Sequence, residues 1–227
     1  MKELDNNIEF RKFNVSEIFY SIQGEGLHMG KPCVFVRMQG CELRCIWCDT
    51  PYALDIKQKE KTMTSEEIIA KIRSFDCNYV LFTGGEPLLQ TGVDGLMNYL
   101  VDKGYEVAVE TNGHQDILIL NDSVIKVIDL KAPASGMSDY NNFENLNYLS
   151  KKDEIKIIIA DRGDYEWSKK IILDNKLHKL VNSVILSPVF VELSPAVLAE
   201  WILEDSLPVR MLLQMHKFIW ESNKKGV

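Results

Sequence analysis

The sequence lacks any apolar run long enough to cross a bilayer, which excludes a membrane-spanning helix. Its first residues, Met1-Lys2-Glu3-Leu4-Asp5, are charged and polar and carry no apolar core of a secretory signal. Basic charge is also short: the formal net charge is -7. Broad, sequence-independent nucleic-acid binding needs a basic surface, so that class is disfavoured. A small anionic substrate stays open, because one or two arginines in a pocket suffice. Low-complexity tracts, internal repeats and linkers are absent, which predicts a single domain over residues 1–227. Cysteine is sparse and odd in number, at five, which disfavours a disulfide framework. Free thiols without an export signal point to a reducing, cytoplasmic setting.

Three of those cysteines are crowded into Gly40-Cys41-Glu42-Leu43-Arg44-Cys45-Ile46-Trp47-Cys48-Asp49-Thr50, spaced C-x3-C-x2-C. Thiols so close can face one inorganic centre. A structural zinc takes four ligands, and an ordinary iron–sulfur cubane takes four cysteines. Three ligands on a four-iron cluster leave one iron open to something other than protein. Zinc remains the alternative, with Cys33 or Asp49 as the fourth ligand.

Around this loop the pattern alternates. Residues 1–20 offer an apolar scatter, Phe10, Val15, Ile18 and Phe19, that packs on the core. Strands are predicted at Cys33–Met38, Tyr79–Phe82, Glu106–Val109, Val124–Ile128, Glu154–Ile159, Ser183–Leu186 and Val209–Leu213. Helices fall between them: Ser65–Phe75 with Ser65 as N-cap, Val93–Lys103 stopped by Gly104, Asp164–Asn175 and Pro195–Glu204. Asn141–Leu149 is helical or irregular. Strand–helix alternation implies an α/β fold with a parallel sheet and helical crossovers. The cysteine loop, Gly84-Gly85-Glu86-Pro87, Thr111-Asn112-Gly113, Asp129-Leu130-Lys131 and Ser187-Pro188 all follow strands. In a barrel or partial barrel such ends share one rim, where the site lies.

With these motifs in place, the chain resembles the radical S-adenosylmethionine superfamily through Cys41-x3-Cys45-x2-Cys48 and Gly84-Gly85-Glu86-Pro87. Within it the chain is similar to the 7-carboxy-7-deazaguanine synthase family. That likeness rests on Gln23-Gly24-Glu25-Gly26, Phe35-Val36-Arg37, Gly40-Cys41, Cys48-Asp49-Thr50, Asp129-Leu130-Lys131-Ala132-Pro133 and Gln214-Met215-His216-Lys217. The resemblance implies an incomplete TIM-like barrel of parallel strands. It also implies a [4Fe–4S] cluster on Cys41, Cys45 and Cys48 that binds S-adenosylmethionine and generates a 5′-deoxyadenosyl radical. The radical takes a hydrogen atom from 6-carboxy-5,6,7,8-tetrahydropterin, whose ring contracts with loss of ammonia, in the route to queuosine and other 7-deazapurines. The family regenerates its S-adenosylmethionine.

Roles for side chains follow on that basis. Gly84 and Gly85 admit backbone to the methionine ammonium, and Glu86 either adds charge there or braces the loop. Thr111, Asn112, Lys131 and Ser187 offer polar groups to the cofactor. Arg37 is a bidentate clamp for a carboxylate, Gln23 and Glu25 suit a pterin edge, and His216 reaches the substrate from the tail. The family places Mg²⁺ beside the Thr50 hydroxyl. Cys33 and Cys77 read as buried thiols. A flavodoxin- or ferredoxin-type donor is implied, because the chain has no flavin or ferredoxin motif, and the family suggests a homodimer. The rivals are a radical activase acting on a glycine of a partner protein, and a zinc-binding interaction module.

Replacing Cys41, Cys45 or Cys48 by Ala should abolish cluster absorbance and turnover, whereas Cys33→Ala should keep both. Loss of the cluster in the Cys33 variant would instead favour a four-cysteine site.

Overall fold

The computed structural model describes residues 11–58, 61–221 and 224–226. One nine-stranded open sheet runs through them, in the order β3-β1-β2-β4-β5-β6-β7-β8-β9. Strands β1 (Lys12–Ile22), β2 (Pro32–Met38) and β3 (Lys61–Thr64) begin it. β1 pairs antiparallel with both β2 and β3. From β2 onward, β4 (Tyr79–Gly84), β5 (Glu106–Thr111), β6 (Ile125–Leu130), β7 (Glu154–Ile159), β8 (Ser183–Pro188) and β9 (Arg210–Met211) pair in parallel. The two ends do not meet, which makes this a partial barrel.

The helices are α1 (Ser65–Arg73), α2 (Val93–Asp102), α3 (Arg162–Asp174), α4 (Leu177–Leu180), α5 (Pro195–Glu204) and α6 (His216–Ile219). Ser65 is not the N-cap of α1. Thr64 is: its hydroxyl accepts from Glu67 N–H at 3.2 Å, while the Glu67 carboxylate accepts from Thr64 N–H at 2.7 Å. Gly104 stops α2 as its sequence implies, with a left-handed φ of +87°. Not every crossover is an α-helix. β5 to β6 and β6 to β7 are joined by 3₁₀ turns, including Ile117–Ile119 and Phe143–Tyr148.

Alternation along each strand sorts the side chains onto two faces. Val34, Val36, Val80, Phe82, Val107, Val109, Ile155 and Ile157 face the helices and form the main core with Ile69, Met97 and Leu100. On the inner face, Phe19, Cys33, Phe35, Tyr79, Leu81 and Ala108 form a second apolar cluster. β1 changes face through a bulge between Val15 and Glu17. Phe13 and Val15 therefore join the main core, whereas Phe19 stacks on Phe35 inside at 4.8 Å. An extra residue in one strand flips every later side chain, and this is why β1 shows no single alternation.

The strand expected over Val209–Leu213 shortens to Arg210–Met211, although Leu212 N–H still donates to Leu186 C=O at 3.1 Å. Phe10 lies outside the described residues, while Val15 and Phe19 are buried as expected.

Candidate functional site

At the C-terminal rim of the inner face lies a cavity of about 410 Å³. Cys41, Cys45 and Cys48 line it together with Gln23, Glu25 and Arg37. The cysteine loop follows β2 and is pinned on both flanks. Cys41 N–H donates to Leu54 C=O at 3.0 Å, and Ile46 N–H donates to Ser135 C=O at 3.1 Å. Arg44 ties the turn to itself through the carbonyls of Cys41 and Leu43, both at 2.7 Å. Asn112 Nδ2 sits 3.8 Å from Cys41 Sγ. Burial pushes the Cys41 thiol up to about 11 and raises those of Cys45 and Cys48. Thiols in such surroundings ionise on coordinating a positive centre.

Among the described residues, no three His, Cys, Asp or Glu side chains converge tightly enough for a single metal ion. Three thiols that line one cavity of this size leave room for a larger inorganic group. Cys33 cannot complete a zinc site, because it is fully buried in the inner apolar cluster with its thiol on Val34 C=O. Cys77, expected to be buried, is half-buried, with its thiol on Pro32 and Tyr79 carbonyls.

The glycine pair after β4 has a packing reason first. A Cβ on Gly84 would lie 2.3 Å from Met38 O, and one on Gly85 would lie 2.1 Å from Gly40 O. Both positions therefore must be glycine if the loop after β4 is to lie on the cysteine loop. Both still line the cavity. Glu86 does not: it is wholly buried and acts as a brace. Its carboxylate accepts from Thr111 Oγ1 at 2.8 Å, Asn112 N–H at 2.7 Å and Leu88 N–H at 3.0 Å. Burial pushes this carboxyl up to about 7, against the pull of those three donors.

Charge fills the inner face below the rim. Lys156, from the middle of β7, pairs with Glu25 at 2.8 Å, with Glu110, and with Asp129 at 3.6 Å. Burial alone would lower this ammonium, but the three carboxylates hold it well above its ordinary value. Burial would likewise raise Glu25, and Lys156 outweighs it to give a lowered value. Lys131 pairs with Asp129 at 3.1 Å. Arg37 is oriented by Glu17, which accepts from its Nε at 2.8 Å and from the Tyr52 hydroxyl at 2.9 Å.

The partial barrel, the cysteine loop and the glycine pair are the features that comparison with known proteins bears on. The Radical SAM superfamily model matches residues 35–133. A 7-carboxy-7-deazaguanine synthase of Chlorobaculum tepidum is 44% identical, over 94% of this chain and 97% of that one. The Koribacter versatilis synthase is 41% identical over 94% and 99%. The chain belongs to the 7-carboxy-7-deazaguanine synthase family. The crystal structure of QueE from Escherichia coli shares the fold, with a TM-score of 0.70 at 24% identity over 90% of this chain and 95% of that one. Membership in this radical S-adenosylmethionine family implies the [4Fe–4S] cluster and S-adenosylmethionine.

Of the residues singled out from the sequence, the structure brings Gln23, Glu25, Arg37, Cys41, Cys45, Cys48, Thr50, Gly84, Gly85, Thr111, Asn112, Lys131 and His216 onto one cavity. Two fall away. Glu86 is the brace described above, and Ser187 is buried on β8 outside the cavity lining, where Val189 and Phe190 stand instead. Sequence reasoning missed Lys156 and Glu110 as site residues. A signal existed: in Glu154-Ile155-Lys156-Ile157-Ile158-Ile159 a lysine interrupts a run of isoleucines. A charge there must be paired or solvated.

A carboxyl whose folded pKa exceeds its ordinary value binds its proton more tightly folded than unfolded. The contribution of Glu86 is therefore full below about 4.5 and lost as pH rises through about 7. Urea unfolding of the apoprotein between pH 5 and pH 8 should show a fall in stability from this source, with a shallower slope in Glu86→Gln. Parallel slopes would contradict the assignment.

Proposed function

We propose that this chain converts 6-carboxy-5,6,7,8-tetrahydropterin to 7-carboxy-7-deazaguanine with loss of ammonia, as a radical S-adenosylmethionine lyase built as a single domain. The observation that carries this reading is the meeting of Cys41, Cys45 and Cys48 with Gln23, Glu25 and Arg37 on one cavity. The three thiols would hold the cluster, and Gly84, Gly85, Thr111, Asn112 and Lys131 would hold S-adenosylmethionine. When bound, these groups supply the electron and the hydrogen-abstracting radical.

The remaining work is the protein's own. Arg37, fixed at its Nε by Glu17, presents its planar fork to the substrate carboxylate. Gln23 and Glu25 meet the N–H edge of the pterin, with Lys156 keeping Glu25 ionised as an acceptor. His216 packs against Gly24, where a Cβ would lie 2.5 Å from its Nδ1, and closes the substrate side. Thr50 lines the cavity two residues after Cys48, and its hydroxyl would be a ligand for Mg²⁺, which would supply positive charge to neutralise the substrate. The electron donor is external, of flavodoxin or ferredoxin type, and the working unit is a cytoplasmic homodimer. Among the described residues no helix is long and apolar enough to cross a membrane.

Anaerobic reconstitution, incubation with the carboxylated tetrahydropterin and mass analysis of the product test the reaction itself; failure to form the deazaguanine would refute it. Arg37→Lys keeps the charge but loses the fork, and should weaken pterin binding by roughly 1–3 kcal/mol. Uncoupled cleavage of S-adenosylmethionine should persist in that variant; its loss with unchanged pterin affinity would move Arg37 to the cofactor side.

The rate should rise with added Mg²⁺. Thr50→Val should blunt that response and Thr50→Ser should keep it. Identical Mg²⁺ curves for wild type and Thr50→Val would end the metal assignment.

A further inference from the structure

The Gln23–Leu27 segment belongs to no strand, yet it carries two of the residues assigned to the substrate. It leaves β1 and reaches β7, although β2, β4, β5 and β6 stand between those strands in the sheet. What meets it there is Glu154, the first residue of β7, which is 1% exposed. Both oxygens of Glu154 lie within hydrogen-bond reach of Leu27 N–H, at 3.2 and 3.1 Å. Gly26 takes a left-handed φ of +69°, and a Cβ there would lie 2.9 Å from Glu154 Oε2. The carboxylate thus occupies the space a side chain would need. Two residues on, Lys156 grips Glu25 from the same face of β7. Glu154 itself is absent from the lining of the main cavity. It faces a small void behind, shared with Gln23, Glu25, His28, Tyr79 and Glu110.

We propose that Glu154 is a positioning residue that latches the Gln23–Leu27 loop from across the partial barrel and so sets Gln23 and Glu25 against the substrate. This deepens the substrate reading of that loop and rests on it. The groups that face Glu154 are Lys156 on its own strand, Glu110 on β5 and Arg210 on β9, with Glu25, His28 and Tyr79 around the void. Burial pushes its carboxyl up to about 7, while the Leu27 bond favours the ionised form. The latch is therefore tight above that pH and slackens below it.

The test measures the dissociation constant of 6-carboxy-5,6,7,8-tetrahydropterin for the cluster-loaded protein with S-adenosylmethionine, at pH 8 and pH 6. Amide hydrogen exchange of the 23–28 segment is followed in parallel. Glu154→Gln removes the charge-assisted bond and should weaken pterin binding about tenfold at pH 8. That gap should close to about twofold at pH 6, where the wild-type carboxyl is itself largely protonated. Exchange should quicken at Leu27 and not across the sheet. Gly26→Ala presses on the same carboxylate from the loop side and should reproduce the local exchange and weaker binding, which keeps the test decisive if Glu154→Gln folds poorly. Gln23→Ala is the control for the loop. If it leaves pterin binding unchanged, the substrate reading of the loop and the latch both fall. If it weakens binding while Glu154→Gln and Gly26→Ala match wild type in affinity and exchange, the latch alone is overturned.

Discussion

The Lys156 ammonium holds the inner face together. It is 7% exposed and has three carboxylates around it, Glu25, Glu110 and Asp129, brought in from the β1–β2 loop, β5 and β6. Removing one partner of such a buried group leaves uncompensated charge, at a cost on the order of 3–5 kcal/mol. An open sheet has no barrel closure to fix its inner face, and here ion pairing across the strands does part of that work. The loop that carries Gln23 and Glu25 is held by the same strand that supplies the ammonium. The tail joins in, since Met215 N–H donates to Gly24 C=O at 3.0 Å and the Gln214 amide donates to Glu25 at 2.9 Å.

At the glycine pair the organising constraint is steric. The backbone after β4 lies so close to Met38 and Gly40 that a methyl group at Gly84 or Gly85 has nowhere to go. Glu86 then fastens this loop to the end of β5 through Thr111 and Asn112. Asn112 in turn leans on Cys41. The cysteine loop, the glycine loop and the β5 end are thus tied into one set of contacts, which gives a large cofactor a wall. The chemistry of a radical enzyme requires such a wall, because its reactive species must be kept from water and from the protein.

The two sets of residues differ in physical character. The cysteine and glycine wall is made of backbone contacts and thiols, suited to an inorganic cluster and its ligand. The Arg37, Glu25 and Lys156 wall is made of paired charges, suited to a substrate with a carboxylate and a row of N–H groups. Glu17, itself held by the Tyr52 hydroxyl, orients Arg37 much as Lys156 orients Glu25, so that both of these groups proposed to face the substrate have a fixed partner.

The sequence by itself determined the family, the parallel strands and most of the rim. Cys41, Cys45 and Cys48 sit in one short loop, so their closeness is local and needs no tertiary contact to be read. Gly104 as a helix stop and the β7 bounds are local for the same reason. The face-changing bulge in β1 is not local, because it is defined by pairing with β2, and without it β1 looked like an apolar scatter. Glu86 and Ser187 carried the right chemistry at the right strand ends, but only packing decided that one would brace a loop and the other be buried outside the cavity. Lys156 lies 131 residues from Glu25. No spacing rule links two charges so far apart in the chain; the curvature of the sheet and the path of the loop brought them together.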